Sequence, residues 1–175
     1  MTHSSSQPPA FRARIAPKVI EALQLSDGDT VFDVGSGDGF YSSAFALKAK
    51  SVWSFDERMH VFEGDYYRQD KIQTVAGNFC TWIDVHGFAG ATQVFFSNSF
   101  HDMTCQEKIL KKISQTLPAG CFLNLVEFHL ATNFGPPREI RFSPDQLKSK
   151  VEEYGLKLES QLDLETHYFH RYKKV

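Results

Sequence analysis

Short apolar runs alternate with amphipathic stretches along nearly the whole chain, and that rhythm predicts its elements. Residues 12–25 place Ile15, Val19, Ile20, Leu23 and Leu25 at helical spacing before a Ser-Asp-Gly-Asp break. Residues 30–34 (Thr-Val-Phe-Asp-Val) read as a buried strand, followed by an aromatic and alanine-rich helix over 40–48 and a strand over 51–55. A helix is expected over 57–68, a strand over 71–76, an irregular segment or short helix over 79–89, and a buried strand over 92–97. Ile109, Leu110, Ile113 and Leu117 give 106–117 one apolar face, and Pro118-Ala-Gly stops that helix before a strand over 121–128. Beyond the Pro/Gly loop 133–137, a helix over 144–154 leads into two closing strands, 156–162 and 165–172. Only Asp163 and Leu164 separate these two, so they join as an antiparallel hairpin.

Strands that alternate with helices pair in parallel through right-handed crossovers, and such sheets take ligands at the carboxyl ends of their strands. The expected fold is therefore α/β: a single-domain, Rossmann-like, doubly wound sheet of seven strands, mostly parallel, with a terminal antiparallel hairpin. At 175 residues the chain suits one domain, able to bury roughly 70% of its unfolded surface. We expect that domain over residues 11–175, preceded by a frayed stretch over 1–10.

Composition narrows the partners. Sixteen phenylalanines read mostly as core, and a net charge of −2 gives no field strong enough to hold nucleic acid by counterion release. Cys80, Cys105 and Cys121 are dispersed and odd in number, with no CxxC spacing for zinc and no evident disulfide framework, which suits a reducing cytosol. Residues 1–10 lack an apolar signal core, and no stretch approaches the roughly 18 apolar residues of a membrane span. The expectation is a soluble, cytoplasmic protein without membrane partners; the oligomeric state is not readable.

The densest chemistry lies in Asp33-Val-Gly-Ser-Gly-Asp-Gly39, a strand that runs into a loop with glycine at every second position. Without a Cβ, such a loop lets a ligand lie against its backbone, and the helix after it offers unpaired N–H groups and a positive dipole end. Asp56, closing the next strand, is placed to accept ribose hydroxyls. Together they point to a nucleotide-like cofactor.

The order of motifs resembles the class I S-adenosylmethionine-dependent methyltransferases, particularly the small type 11 group, over residues 12–175. Its carriers are the Asp33–Gly39 loop, Asp56, Gly77-Asn78, the run Phe96-Ser-Asn-Ser-Phe-His-Asp-Met103, and Leu117-Pro-Ala-Gly-Cys-Phe-Leu-Asn-Leu-Val-Glu127. The terminal hairpin fits the reversed last strand of that family. The resemblance implies S-adenosylmethionine as cofactor, with Gly35, Gly37 and Gly39 along its methionine and ribose portions, and Asp33 orienting the amino group, through water. It further implies Asp56 on the ribose and Asn78, where the family usually has Asp, on the adenine amino group with Phe79 against the base. Ser97 and Asn98 would face the methionine end, and Ser36, Phe40 and Glu57 complete the cofactor set by adjacency.

Methyl transfer to a protic acceptor needs a base within hydrogen-bond reach. His101 beside Asp102 is the candidate, because imidazole titrates near neutrality and a carboxylate can orient it; the alternative is a helix cap or pocket wall. His101, Glu127, Arg138 and Tyr168 are the substrate-side candidates, with His129 and Arg141 as softer ones. Glu127 could equally pair with a surface cation, and the arginines could be solvated. Alternation in the last strand separates His167 and Phe169 from Tyr168 and His170, which argues against a His/His metal pair, and no metal is expected. A nicotinamide-type G-x-G-x-x-G would need glycine at position 40, where the chain has Phe40. Ser97-Asn98-Ser99-Phe100 departs from the Asn/Asp-Pro-Pro-aromatic pattern of enzymes that methylate base or glutamine amino groups, which favours a small-molecule acceptor. The alternative of another class is a non-catalytic sensor or subunit that keeps the fold and the cofactor site.

Overall fold

The computed structural model describes residues 9–175. Its seven strands form one sheet: β1 (Thr30–Val34), β2 (Ser51–Asp56), β3 (Ile72–Ala76), β4 (Gln93–Ser97), β5 (Phe122–Phe128), β6 (Leu156–Asp163) and β7 (His167–Lys174). The strand order is β3-β2-β1-β4-β5-β7-β6. Pairings from β3 through β5 are parallel, whereas β7 runs antiparallel to both β5 and β6. This is the doubly wound sheet with a terminal hairpin that the hydrophobic rhythm predicts. The carboxyl ends of β1 to β5 share one edge, and the chain order reverses between β1 and β4, the switch point where such sheets open a crevice.

Alternation along each strand divides the core in two. Val31, Phe95, Val126 and Phe169 face α1 (Pro9–Ala22) and α2 (Phe40–Ala46), packing on Ile15, Val19, Leu23 and Phe45. Phe32, Val94, Phe96, Leu125 and Tyr168 face the other way, against Ile83 of α3 (Phe79–His86), Ile109 and Ile113 of α4 (Gln106–Thr116), and Leu147 and Val151 of α5 (Pro144–Glu152). Asn78 caps α3, and Ser143 with Gln146 forms a reciprocal capping box on α5.

Three expectations change. The helix over 57–68 is instead two 3₁₀ turns, Met59–Glu63 and Asp65–Tyr67, separated by the extended Gly64. A glycine inside a helix costs about 1 kcal/mol, and Tyr67 is held by the glycine loop instead. The last strand begins at His167, because Leu164 N–H bonds His167 O and Glu165 takes φ +69° in the turn. Most consequentially, Cys80 and Cys105 are joined in a disulfide with Cα atoms 6.0 Å apart, leaving Cys121 free. The bridge links the first turn of α3 to the cap of α4, so the argument for a reducing compartment from unpaired cysteines fails. The frayed stretch 1–10 lies outside the described residues except for Pro9 and Ala10, which open α1. No helix among the described residues is long and apolar enough to cross a membrane.

Candidate functional site

The glycine loop hangs from the end of β2. Gly35 and Ser36 N–H both donate to Phe55 O (2.8 and 2.9 Å), and Gly37 N–H donates to Asp56 Oδ2 (3.0 Å). Tyr67 braces it from outside, donating to Gly37 O at 2.7 Å and lying 2.9 Å from Ser36 Oγ. A Cβ on Gly35 would stand 2.5 Å from that of Ser99, and one on Gly39 would stand 2.7 Å from the Tyr67 ring; both positions also have positive φ. Only glycine tolerates that combination. Gly37 differs, for nothing lies within 4 Å of where its Cβ would be. The loop is thus held tightly on two sides and faces open space in the middle.

Carboxylates surround it. Asp33 is buried under α2, where Ser42 Oγ donates to it at 2.5 Å and Ser54 Oγ in turn donates to Ser42 (2.7 Å). Burial pushes its pKa up to about 7, helped by the charges of Asp56 and Asp38 and opposed by the Ser42 bond. Asp56 accepts four N–H groups: Gly37 N, Arg58 N (2.9 Å), and the Arg58 guanidinium through Nε (3.1 Å) and Nη2 (3.3 Å). Asp38 is held bidentately by Arg12 at 2.9 and 2.7 Å. Two of these acids are thus paired with arginines and burial holds the third toward its neutral form, so the loop carries little net charge. The roles of Arg58, Tyr67, Ser42 and Ser54 escape sequence reading. A strand-interior acid such as Asp33 does signal a buried donor, but not which serine of α2 supplies it.

Not every expected cofactor residue turns toward this space. Asn78 Oδ1 accepts Thr81 N–H at 3.2 Å as the α3 cap, and Phe79 packs edge-on against Phe55 in the core. Phe40 lies beneath the Arg12 guanidinium and against Tyr66, and Glu57 is exposed.

The segment after β4 forms the facing wall. Ser99 Oγ donates to Val34 O (2.7 Å), fixing the segment onto the end of β1. Asn98 is held at φ +53°, its N–H on Val126 O (2.9 Å), and its buried Oδ1 has no hydrogen-bond partner. Half-buried Ser97 ends β4. His101, with its side chain 0% exposed, lies 2.5 Å through Nδ1 from Glu127 Oε2, and its backbone N–H donates to Glu127 Oε1 at 3.3 Å. Burial opposes the charged imidazole, yet the Glu127 bond and charge, with Asp102, raise its pKa above the ordinary value. Asp102 lies 3.5 Å from Nε2, and Nε2 makes no hydrogen bond. The carboxylate that orients His101 is therefore Glu127, not its sequence neighbour. Glu127 itself is buried rather than paired with a surface cation.

Beyond β5 a strap covers the end of the sheet. Arg141, buried, donates five hydrogen bonds of 2.7 to 2.9 Å to the carbonyls of His129, Thr132, Phe134 and Pro136. Tyr168, opposite Glu127 in the β5–β7 register, donates to Phe142 O at 2.9 Å, so its hydroxyl is spent on closing this region. Arg138 is exposed in the strap's 3₁₀ turn, Arg138–Ile140. His129 pairs with Asp163 at 3.2 Å, beside an open cleft of about 630 Å³. Asp33, the glycines, Asp56, Ser97, Asn98, His101 and Glu127 are thus brought to one edge, while Asn78, Phe79, Phe40 and Tyr168 are committed to local packing or capping.

The fold recurs in solved structures. A SAM-dependent methyltransferase from Aquifex aeolicus matches with TM-score 0.81 at 18% identity, over 97% of this chain and 94% of its own. A Sulfolobus solfataricus protein with a provisional type 11 methyltransferase assignment matches with TM-score 0.71 at 18% identity, over 98% and 94%. The N-methyltransferase NodS of Bradyrhizobium japonicum WM9, in complex with S-adenosyl-L-homocysteine, matches with TM-score 0.74 at 14% identity, over 99% and 93%. No protein-family profile matches the sequence, and no curated protein matches it. At these identities the likeness establishes the fold.

Proposed function

We propose that this chain, as one catalytic domain over residues 11–175, binds S-adenosylmethionine and transfers its methyl group to a small acceptor. The observation that carries the reading is the glycine loop itself, hung from Phe55 O and Asp56 over open space at the switch point and ringed by Asp33, Asp38 and Asp56. The cofactor's ammonium and ribose hydroxyls are donors that carboxylates at this loop can accept, and its sulfonium supplies an activated methyl group. Asp33 would serve the ammonium, through water, and Asp56 the ribose hydroxyls once the Arg58 side chain, 57% exposed, gives way. Asn78 has committed its carbonyl oxygen to the helix cap and is left out of this set. The unpartnered Asn98 Oδ1 is suited to a donor on the methionine end. His101 would take the acceptor's proton.

A nicotinamide dinucleotide is disfavoured because Phe40 stands where the third glycine of its loop belongs. The sealing of His101 Nε2 from solvent favours one second reading, a cofactor-binding protein without turnover. Calorimetric titration with S-adenosylmethionine, S-adenosylhomocysteine and NAD tests all three. Micromolar binding of the first two and none of NAD is expected; absence of binding by both sulfur nucleotides refutes the proposal. Release of S-adenosylhomocysteine in the presence of an acceptor then separates enzyme from sensor.

A further inference from the structure

We propose that Glu127 is the positioning residue for His101, fixing Nδ1 as the protonated nitrogen so that Nε2 receives the proton of a hydroxyl-bearing acceptor. The inference rests on the methyltransfer reading and deepens it. Glu127 grips the residue at two points, Nδ1 at 2.5 Å and the backbone N–H at 3.3 Å, so the ring's orientation and tautomer are set from one carboxylate. Both residues are buried, at 5% and 1% exposure. A polar ring atom sealed from solvent without a partner is costly, and Nε2 is such an atom. Its position is also defined by the fold: Ser99 is pressed against Gly35 and bonded to Val34 O, and His101 lies two residues farther, a span of at most about 7 Å. His101 is therefore carried by the segment that walls the glycine loop; Glu127 holds the Nδ1 side of its ring, and Nε2 lies on the other side, 3.5 Å from Asp102 Oδ2.

The charged and titratable groups around the ring are Asp102 in its own turn, Glu127 on β5, Arg141 in the strap and His167 on β7. Two acids at the ring stabilise an imidazolium once it forms. They would also stabilise an ammonium acceptor in its unreactive form, whereas a neutral hydroxyl gains from a base. In the transfer, the hydroxyl proton goes to Nε2 while its oxygen forms the new bond to the methyl carbon. The sulfur–methyl bond breaks with its electron pair left on sulfur, and the proton on His101 is later lost to water.

The test begins without substrate. Titration of the His101 ring by ¹H–¹⁵N and ¹H–¹³C NMR, with the resonance assigned by its loss in His101→Gln, is expected to give a midpoint above 6.5, with Nδ1 protonated in the neutral ring. Glu127→Gln should lower that midpoint, and Glu127→Asp, which keeps the charge but shortens the arm, should lower it less and serves if the glutamine variant fails to fold. An unshifted midpoint in a folded variant overturns the positioning role. Calorimetry with S-adenosylmethionine is run on the same proteins: no binding by wild type refutes methyl transfer while leaving the NMR result on the pair intact. With phenols and aliphatic alcohols set against anilines and alkylamines, release of S-adenosylhomocysteine is expected only with hydroxyls. Glu127→Gln should lower kcat about 100-fold, at unchanged cofactor affinity, and move the rising limb of the pH profile to lower pH. Turnover of amines alone, or of neither class, overturns the acceptor assignment.

Discussion

The two halves of the sheet's ligand edge are built by different means. Around β1 and β2 the site is backbone: glycines hung from neighbouring carbonyls and one carboxylate, with side chains serving as braces. Around β4, β5 and the strap it is side chain: a buried His–Glu pair and a buried arginine hydrogen-bonded to backbone carbonyls. Backbone sites are written into contiguous sequence, because glycine spacing acts locally. Side-chain sites join residues far apart, and each depends on the packing that buries it. The first half should therefore fail by losing ligand and the second by losing structure.

The largest expected effect lies in the second half. Arg141→Gln removes a cation from five buried or part-buried hydrogen bonds, and should destabilise the fold by on the order of 4 kcal/mol, measured by denaturant midpoint. A neutral result would show that the strap does not need its arginine.

Next comes the tie between the halves. Cys80→Ser opens the bridge between α3 and α4, whose cysteines are 25 residues apart, and should cost about 3 kcal/mol by chain entropy. Denatured wild type should expose one thiol without reductant and three with it; three in both conditions would show that the bridge is not formed.

Smaller effects should appear in the first half, and in binding. Asp56→Ala should weaken S-adenosylmethionine by about 1.5–3 kcal/mol, the range for hydrogen bonds to a charged group, with little change in melting temperature. Arg58→Ala should do the reverse and tighten it, by no more than about 1 kcal/mol, since the pair it breaks is exposed on the arginine side. Equal loss of affinity in both would show that Arg58 is a cofactor contact rather than a competitor.

The subtlest difference is in acid response. His167 and His170 are held neutral by burial, their pKa values lowered to about 3 and about 4. The unfolded chain binds more protons than the native one below pH 6.5, so their contribution is present above that pH and is lost as pH falls toward 4. Asp33 is raised to about 7 and works oppositely, favouring the native state at low pH and losing that contribution as pH rises from about 4 to 7. Stability profiles of His170→Gln and Asp33→Asn should separate the trends: the first should flatten the loss below pH 6.5, the second the loss on approach to 7. Profiles parallel to wild type would mean that neither group is titrating as its burial requires.

Legibility followed the same division. Strand β1 was readable to the residue, and β2 to within one, because apolar β-branched and aromatic runs between turn residues leave little choice. The 57–68 segment, where a helix is expected, forms two 3₁₀ turns parted by Gly64. Tyr66 and Tyr67 are instead spent on Phe40 and the glycine loop. His101 is legible as a candidate, but the carboxylate that the sequence sets beside it is Asp102. The true partner is 26 residues away, across the parallel pairing of β4 with β5.

The sequence alone determined the α/β rhythm, the hairpin and the glycine loop, since periodicity, turn chemistry and the absence of a Cβ all act within a few neighbouring residues. Only the tertiary structure decided that Glu127 meets His101, that Cys80 meets Cys105, that Arg58 covers Asp56 and that Arg141 holds the strap. A partner reached through a side chain depends on which strands and helices become neighbours and where each turns its face, and that information belongs to the assembled sheet.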